Sequence, residues 1–95
     1  MNIKSMILKL KKNNMKELIE YIVKNIVNNP EDIKIEVSKE TSPDQREYDV
    51  YTIETNPEDI ALVIGKNGQT IKSIRTIAKI KAIKENNYVD VRIQS

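Results

Sequence analysis

The spacing of apolar residues changes along this chain, and it predicts the order of the elements. Apolar residues recur at intervals of three and four up to about Asn28, which predicts an amphipathic helix whose apolar face covers a sheet (Leu18, Ile19, Ile22, Val23, Ile26, Val27). Asn14, with Glu17 three residues later, resembles a capping box and predicts the start of this helix. Pro30 follows its end.

Residues 1–14 precede the predicted start of that helix. Their apolar residues also follow helical spacing, with lysines among them (Ile3, Met6, Ile7, Leu10). We therefore expect a basic amphipathic arm at 1–14, followed by one domain at 15–95. The arm could fray, dock on a partner or pack on the core, and the sequence leaves these alternatives open.

Three later segments read as strands. Residues 33–37 alternate apolar and charged side chains, and similar patterns occur at 48–53 and 88–93. A turn signal at 41–44 joins the first two strands as a hairpin with a loop of about eight residues. The third strand follows two further helices, so a right-handed crossover should leave it parallel to the second. This predicts an α+β fold of order α-β-β-α-α-β, with a three-stranded mixed sheet and helices on one face.

The chain has only two glycines, Gly65 and Gly68, and both lie between the last two predicted helices. Asn56 and the residues after it predict the cap and first turn of one helix, and isoleucine recurs every third residue from Ile71 to Ile83 in the other. Backbone N–H groups in a glycine loop before a helix can hold an anion. Lys66 adds a positive charge to this loop.

The pattern I-G-K-N-G-Q-T-I-K-S-I matches the GXXG motif of a KH domain, which clamps about four nucleotides by their backbone. A helix-turn-helix that binds duplex DNA is the alternative. A P-loop is excluded, because Ile60 stands where its first glycine is needed. We expect Lys72 and Arg75, in the first two turns of the second helix, to contact phosphate. Apolar residues beside the loop could receive bases (Ile60, Val63, Ile64, Ile71).

Charge and composition narrow the class of function. Residues 30–59 carry three basic and ten acidic residues, whereas Ile60 to Lys84 contains six basic residues and no acid. A basic surface of this kind suits a polyanion. The chain lacks histidine and cysteine, so we expect no enzyme, no metal and no cofactor. No apolar run reaches the roughly 20 residues of a membrane span, and a cytoplasmic protein is expected.

From Met15 to Ile93 the chain resembles the KhpA family of small bacterial KH-domain proteins. The resemblance lies in M-K-E-L-I-E-Y-I-V-K, N-P-E-D, V-I-G-K-N-G, I-K-S-I-R-T and V-D-V-R-I. It implies a type II-like KH fold, single-stranded RNA binding through the GXXG loop, and a role as RNA chaperone or post-transcriptional regulator. It also implies a homodimer or a KhpB partner, and a link to cell-envelope and cell-shape control. Carried over by position, the RNA-binding residues are Gly65, Lys66, Asn67, Gly68, Gln69, Lys72 and Arg75, although Gln69 stands where the family usually has arginine.

The long helix has more apolar surface than one sheet can cover. Ile77, Ile80 and Ile83 lie far round it from Ile71 and Ile74. Either other helices or a second chain should cover this excess. A protein-interaction subunit with little RNA binding of its own is therefore a further alternative.

Overall fold

The computed structural model describes the backbone of residues 3–94, with the side chains of Ile3 and of residues 15–94. The elements are α1 (Ile3–Lys24), β1 (Lys34–Thr41), β2 (Glu47–Glu54), α2 (Ile60–Ile64), α3 (Gln69–Lys84) and β3 (Val89–Ile93). Short 3-10 turns occupy Pro30–Asp32, Pro57–Asp59 and Lys66–Gly68. No helix among these residues is long and apolar enough to cross a membrane.

The first helix begins earlier than the sequence predicts. It runs without a break from Ile3 to Lys24, so the predicted start at Asn14 is wrong. Asparagine caps a helix only where the preceding chain leaves the helical conformation, and inside a helix it costs less than about 1 kcal/mol relative to alanine. Of the predicted apolar face of the arm, the structure describes the side chain of Ile3, which is exposed. The other side chains of this face lie outside the described residues.

The same helix also ends earlier than predicted, at Lys24 rather than near Asn28. The side chain of Asn25 donates to the backbone oxygen of Tyr21 at 2.7 Å, and so satisfies one carbonyl of the last turn. Ile26 and Val27 remain packed against the core from the turn that follows.

The sheet has the predicted topology. Its strand order is β1-β2-β3. The strands β1 and β2 pair antiparallel, and β2 and β3 pair parallel. The hairpin loop is shorter than expected, because pairing continues to Thr41 opposite Glu47 and leaves five residues, 42–46, in the loop. The polar half of β1 carries no apolar alternation, so its pairing could not be read from the sequence.

All three helices contribute to one core on one face of the sheet, which confirms the predicted α+β fold. Buried residues of β1, β2 and β3 meet buried residues of the helices there (Met15, Ile19, Val23, Ile33, Ile35, Tyr51, Ile53, Val63, Ile71, Ile74, Ala78, Ala82, Val89, Val91). Ala78 and Ala82 let α3 approach the sheet closely, since small side chains shorten the distance between packed elements.

A buried carboxylate fixes the start of α2 to the connection between α1 and β1. Asp59 is fully buried, and its Oδ2 accepts from the backbone N–H of Asn29 at 2.9 Å and from Asn29 Nδ2 at 3.1 Å. Asn56 caps the preceding turn as predicted, since its side chain accepts from the N–H of Glu58 at 2.9 Å. These bonds hold the helix that leads into the glycine loop at a fixed place on the core.

Candidate nucleic-acid interface

The glycine loop has a left-handed backbone at three positions. Gly65 has φ 77°, Asn67 has φ 56° and Gly68 has φ 72°. Asparagine tolerates the left-handed region better than most residues with a side chain. The loop therefore joins α2 to α3 within four residues, as the sequence predicts.

Some backbone N–H groups in and next to the loop donate hydrogen bonds within the turn itself. The N–H of Gly68 donates to the oxygen of Gly65 at 3.1 Å, and that of Gln69 donates to Lys66. The N–H of Gly65 also donates inside the turn, to the oxygen of Ala61 at 2.9 Å. For the two glycines the expectation that loop N–H groups hold an anion is thus corrected, and the exposed side chains of Lys66 and Asn67 are polar groups that the loop presents to a ligand.

The absence of a side chain has a different structural consequence at each of the two glycines. A Cβ on Gly65 would overlap Thr70, reaching within 2.8 Å of its backbone nitrogen. A Cβ on Gly68 would meet nothing within 4 Å. Gly65 therefore serves the packing of the loop against α3, whereas Gly68 leaves an open approach to the backbone from outside.

The positive side chains near the loop are accessible. Lys66 and Asn67 in the loop are exposed, and so are Gln69 and Lys72 in the first turn of α3. Apart from Arg75, the basic residues from Lys66 to Lys79 form no ion pair among the described residues. The loop region can thus attract a phosphate without a competing carboxylate.

Arg75 has a different environment from the lysines. Its Nε donates to the backbone oxygen of Val91 on β3 at 2.8 Å, and lies 4.0 Å from Oδ1 of Asp90. Its side chain is 43% exposed, so it sits in the crevice between α3 and β3 and not on the outer surface. The sequence could not show this contact, since nothing in the helical pattern identifies the strand residue opposite.

The predicted base-contacting residues separate into two groups. Val63 is completely buried and Ile71 is 7% exposed, so both belong to the core and the prediction that they receive bases is corrected. Ile60 is half-buried and Ile64 is exposed, so these two remain available. On the short α2, Val63 points to the core because it is the position that faces the apolar side of α3.

Two relevant residues were missed in the sequence. Leu62 is 40% exposed on α2, two residues before Ile64, and adds exposed apolar surface to this helix. Asp59 was read only as a negative charge near a helix start, although the structure buries it against Asn29. An acid followed directly by an apolar run is the signal that could have raised this possibility.

The order α-β-β-α-α-β, the mixed sheet and the Gly-Lys-Asn-Gly loop between two helices define a KH domain. The sequence model of the family described as KhpA/KhpB, KH domain, matches residues 16–93. The chain therefore belongs to this family, which confirms the resemblance noted in the sequence.

Curated relatives agree with this assignment. A protein named RNA-binding protein KhpA from Clostridium perfringens is 45% identical over 80 residues, covering 83% of this chain and 99% of the relative. A protein of the same name from Chlamydia trachomatis is 37% identical over 79 residues, covering 83% of this chain and 95% of the relative.

A solved structure shares the fold. Aquifex aeolicus Era bound to GDP and AlF4− superposes with a TM-score of 0.63 at 15% identity. The match covers 83% of this chain but 29% of the Era chain, so it concerns one part of a larger protein.

Proposed function

We propose that this protein binds single-stranded RNA by holding its sugar–phosphate backbone at the Gly65–Gly68 loop, and that it acts in the cytoplasm as an RNA chaperone or post-transcriptional regulator. The observation that carries the proposal is the open surface at Gly68 beside the exposed side chains of Lys66 and Asn67. The names of the KhpA relatives support it.

The charge distribution supports single-stranded RNA as the ligand. Lys66 and Lys72 can neutralise phosphates at the loop, while the exposed Ile64 and Leu62 of α2 each offer apolar surface to unstacked bases. Sequence-specific RNA recognition commonly uses such splayed bases. Contact with about three phosphates predicts a slope near −2 for log affinity against log salt.

Replacing Lys66 and Asn67 together by Asp tests the loop. Aspartate is tolerated at the left-handed position 67, so the fold should persist while two negative charges face the phosphates. We expect binding of a single-stranded RNA to fall at least about tenfold, measured by fluorescence anisotropy, since repulsion replaces the attraction between the loop and the phosphates.

The matched control is Lys16→Asp with Asn28→Asp, which makes the same change of charge at exposed positions of the α1 region. If both double variants bind RNA equally, the loop is not the site. A duplex DNA of the same sequence separates this proposal from a helix-turn-helix reader, because only the latter prefers the duplex.

The proposal includes a second surface on α3. Ile77, Ile80 and Ile83 are 44%, 57% and 70% exposed and form a ridge on the outer side of the helix. Neither the sheet nor the other helices cover this ridge within the described residues. We assign this ridge to the interface of a homodimer, and we propose that a KhpB-like protein competes for the same surface. Through that partner the protein takes part in the control of the cell envelope and cell shape.

A further inference from the structure

The outer edge of β3 is closed at its middle by two side chains. Because β2 and β3 are parallel, the N–H and C=O of alternate β3 residues point away from β2, and Val91 is one of these. Its N–H donates to Oδ1 of Asp90 at 2.9 Å, and its oxygen accepts from Nε of Arg75 at 2.8 Å. Arg75 is therefore held in one orientation at this edge.

This orientation leaves the end of the guanidinium group available. The bond to Val91 uses Nε, and the two Nη atoms of Arg75 have no acceptor among the described residues. A guanidinium presents its Nη donors as a planar fork that suits two adjacent acceptors. With 43% of the side chain exposed, a ligand in the crevice between α3 and β3 can reach this fork.

Local charge decides which acceptors suit the fork. Asp90 lies 4.0 Å from Arg75 and 3.1 Å from Nε of Arg92, and Arg92 in turn binds Glu40 at 2.6 Å. Two cations thus face two carboxylates, so the site carries no net charge. A phosphate here would be repelled by Asp90, whereas an uncharged pair of acceptors would not. The acid-free surface at Lys66 and Lys72 is the better place for phosphates.

A recess that can take a ring lies near Arg75. It has a volume of about 180 Å³ and mostly apolar walls, which include Lys79, one turn after Arg75 on α3, and Val89, two residues before Val91 on β3 (Lys79, Ala82, Ile83, Asn87, Tyr88, Val89). A flat, uncharged group can therefore enter next to the fork.

We infer that Arg75 reads a nucleobase with two adjacent acceptors, and so gives the protein a preference for guanine or cytosine over adenine and uracil. Guanine offers O6 and N7, and arginine binds this pair bidentately. Cytosine offers N3 and O2, whereas in uracil the N3–H donor separates the two oxygens and in adenine the N6 amino donor lies beside both N1 and N7. The inference rests on the RNA-binding function proposed above and makes Arg75 a specificity residue instead of a phosphate contact.

Four single-stranded heptamers test this: seven uridines, and the same chain with a central G, C or A. By fluorescence anisotropy the intact protein should bind the G and C heptamers about tenfold more tightly than the other two. Replacing the central G by 7-deazaguanine removes N7 and should abolish the gain for G alone, which separates the two bases. If the 7-deaza change has no effect on the G heptamer, guanine is not read through this pair.

Two substitutions locate the preference in Arg75. Arg75→Lys keeps the charge but not the fork, and should bring all four heptamers to the wild-type affinity for uridines with an unchanged salt slope. Arg75→Gln should also abolish the preference, and thermal unfolding checks that both variants fold. Lys72→Gln is the contrast: it should weaken all four alike and make the salt slope shallower by about 0.7 while keeping the preference.

Equal wild-type binding of all four heptamers overturns the inference while leaving the proposed function standing. A uniform loss in Arg75→Lys with a shallower salt slope also overturns it, because Arg75 then contacts phosphate. Failure of the wild-type protein to bind any heptamer overturns the proposed function and the inference with it.

Discussion

At Gly65 the absent side chain makes room for Thr70, and at Gly68 it leaves open surface. The sequence presents the two glycines as equivalent members of one motif. Their difference depends on which atoms of α3 lie behind the loop, and spacing along the chain does not contain that information.

Alanine at each glycine should therefore give different results. Gly65→Ala combines a left-handed φ with overlap on Thr70, and we expect a loss of about 3 kcal/mol in the free energy of unfolding. Gly68→Ala is strained only by its φ, so about 1 kcal/mol is expected, together with weaker RNA binding because a methyl group enters the open surface. Urea denaturation and anisotropy measure the two effects, and equal destabilisation would contradict this distinction.

The buried Asp59 makes a second prediction at this scale. Asp59→Ala should cost about 2 kcal/mol of unfolding free energy, because it leaves the N–H of Asn29 buried without a partner. Asn29→Ala removes only the side-chain bond and should cost about 1 kcal/mol. Denaturant unfolding of both single variants and the double variant measures the coupling, and strictly additive losses would show that the two residues do not act together.

The helix α3 shows which residues determine the side of a helix that packs against the sheet. Its isoleucine repeat is continuous from Ile71 to Ile83, yet Ile74 is buried while Ile80 is 57% exposed. The small residues Ala78 and Ala82, each 1% exposed, mark the side that approaches the sheet. A repeat of three drifts around a helix with 3.6 residues per turn, so the isoleucines cannot all face the core.

Enlarging Ala78 tests this assignment. Ala78→Leu should destabilise the fold by about 2 kcal/mol, since extra methylene groups in a close-packed layer force the helix from the sheet. Ile80→Leu, on the exposed side of the same helix, should change stability by less than about 0.5 kcal/mol. Thermal unfolding at low protein concentration compares them, and a tolerant Ala78 would mean that α3 sits further from the sheet.

The sequence predicts the elements whose apolar periods are strong and misplaces the boundaries that depend on polar residues. The parallel pairing of β2 and β3 follows from the order of elements and is confirmed. The continuous α1 passes through the polar residues 11–14 and the longer β1 extends over the polar residues 38–41, where no apolar period shows whether the element goes on. The base-contacting role of Val63 failed because a five-residue helix shows too little periodicity to separate its faces.

For the whole molecule, the loop surface and the α3 ridge should respond oppositely to salt. The ridge lies in a segment with six basic residues and no acid, so two copies packed through it bring like charges together. Screening should therefore strengthen self-association, whereas it weakens phosphate binding.

Ile80→Asp tests the ridge. We expect light scattering to show a dimer for the wild-type protein and a monomer for the variant, because a charge at the centre of an apolar contact cannot be desolvated cheaply. Tyr21→Asp places the same charge at another exposed site, 70% exposed on α1, and should leave the dimer intact. A wild-type monomer at both low and high salt would remove the ridge from the proposal.

The closed edge of β3 also bears on how this protein stays in solution. A terminal strand with free peptide groups is a template on which another chain can add, and such addition propagates into aggregates. Here the side chain of Arg75 covers the backbone oxygen of Val91, so a ligand that draws Arg75 away uncovers this part of the strand. The turbidity of a stored solution should consequently rise more for a variant with no donor at position 75 than for the wild-type protein. An RNA that binds the Arg75 side chain without breaking its bond to Val91 should leave the turbidity low.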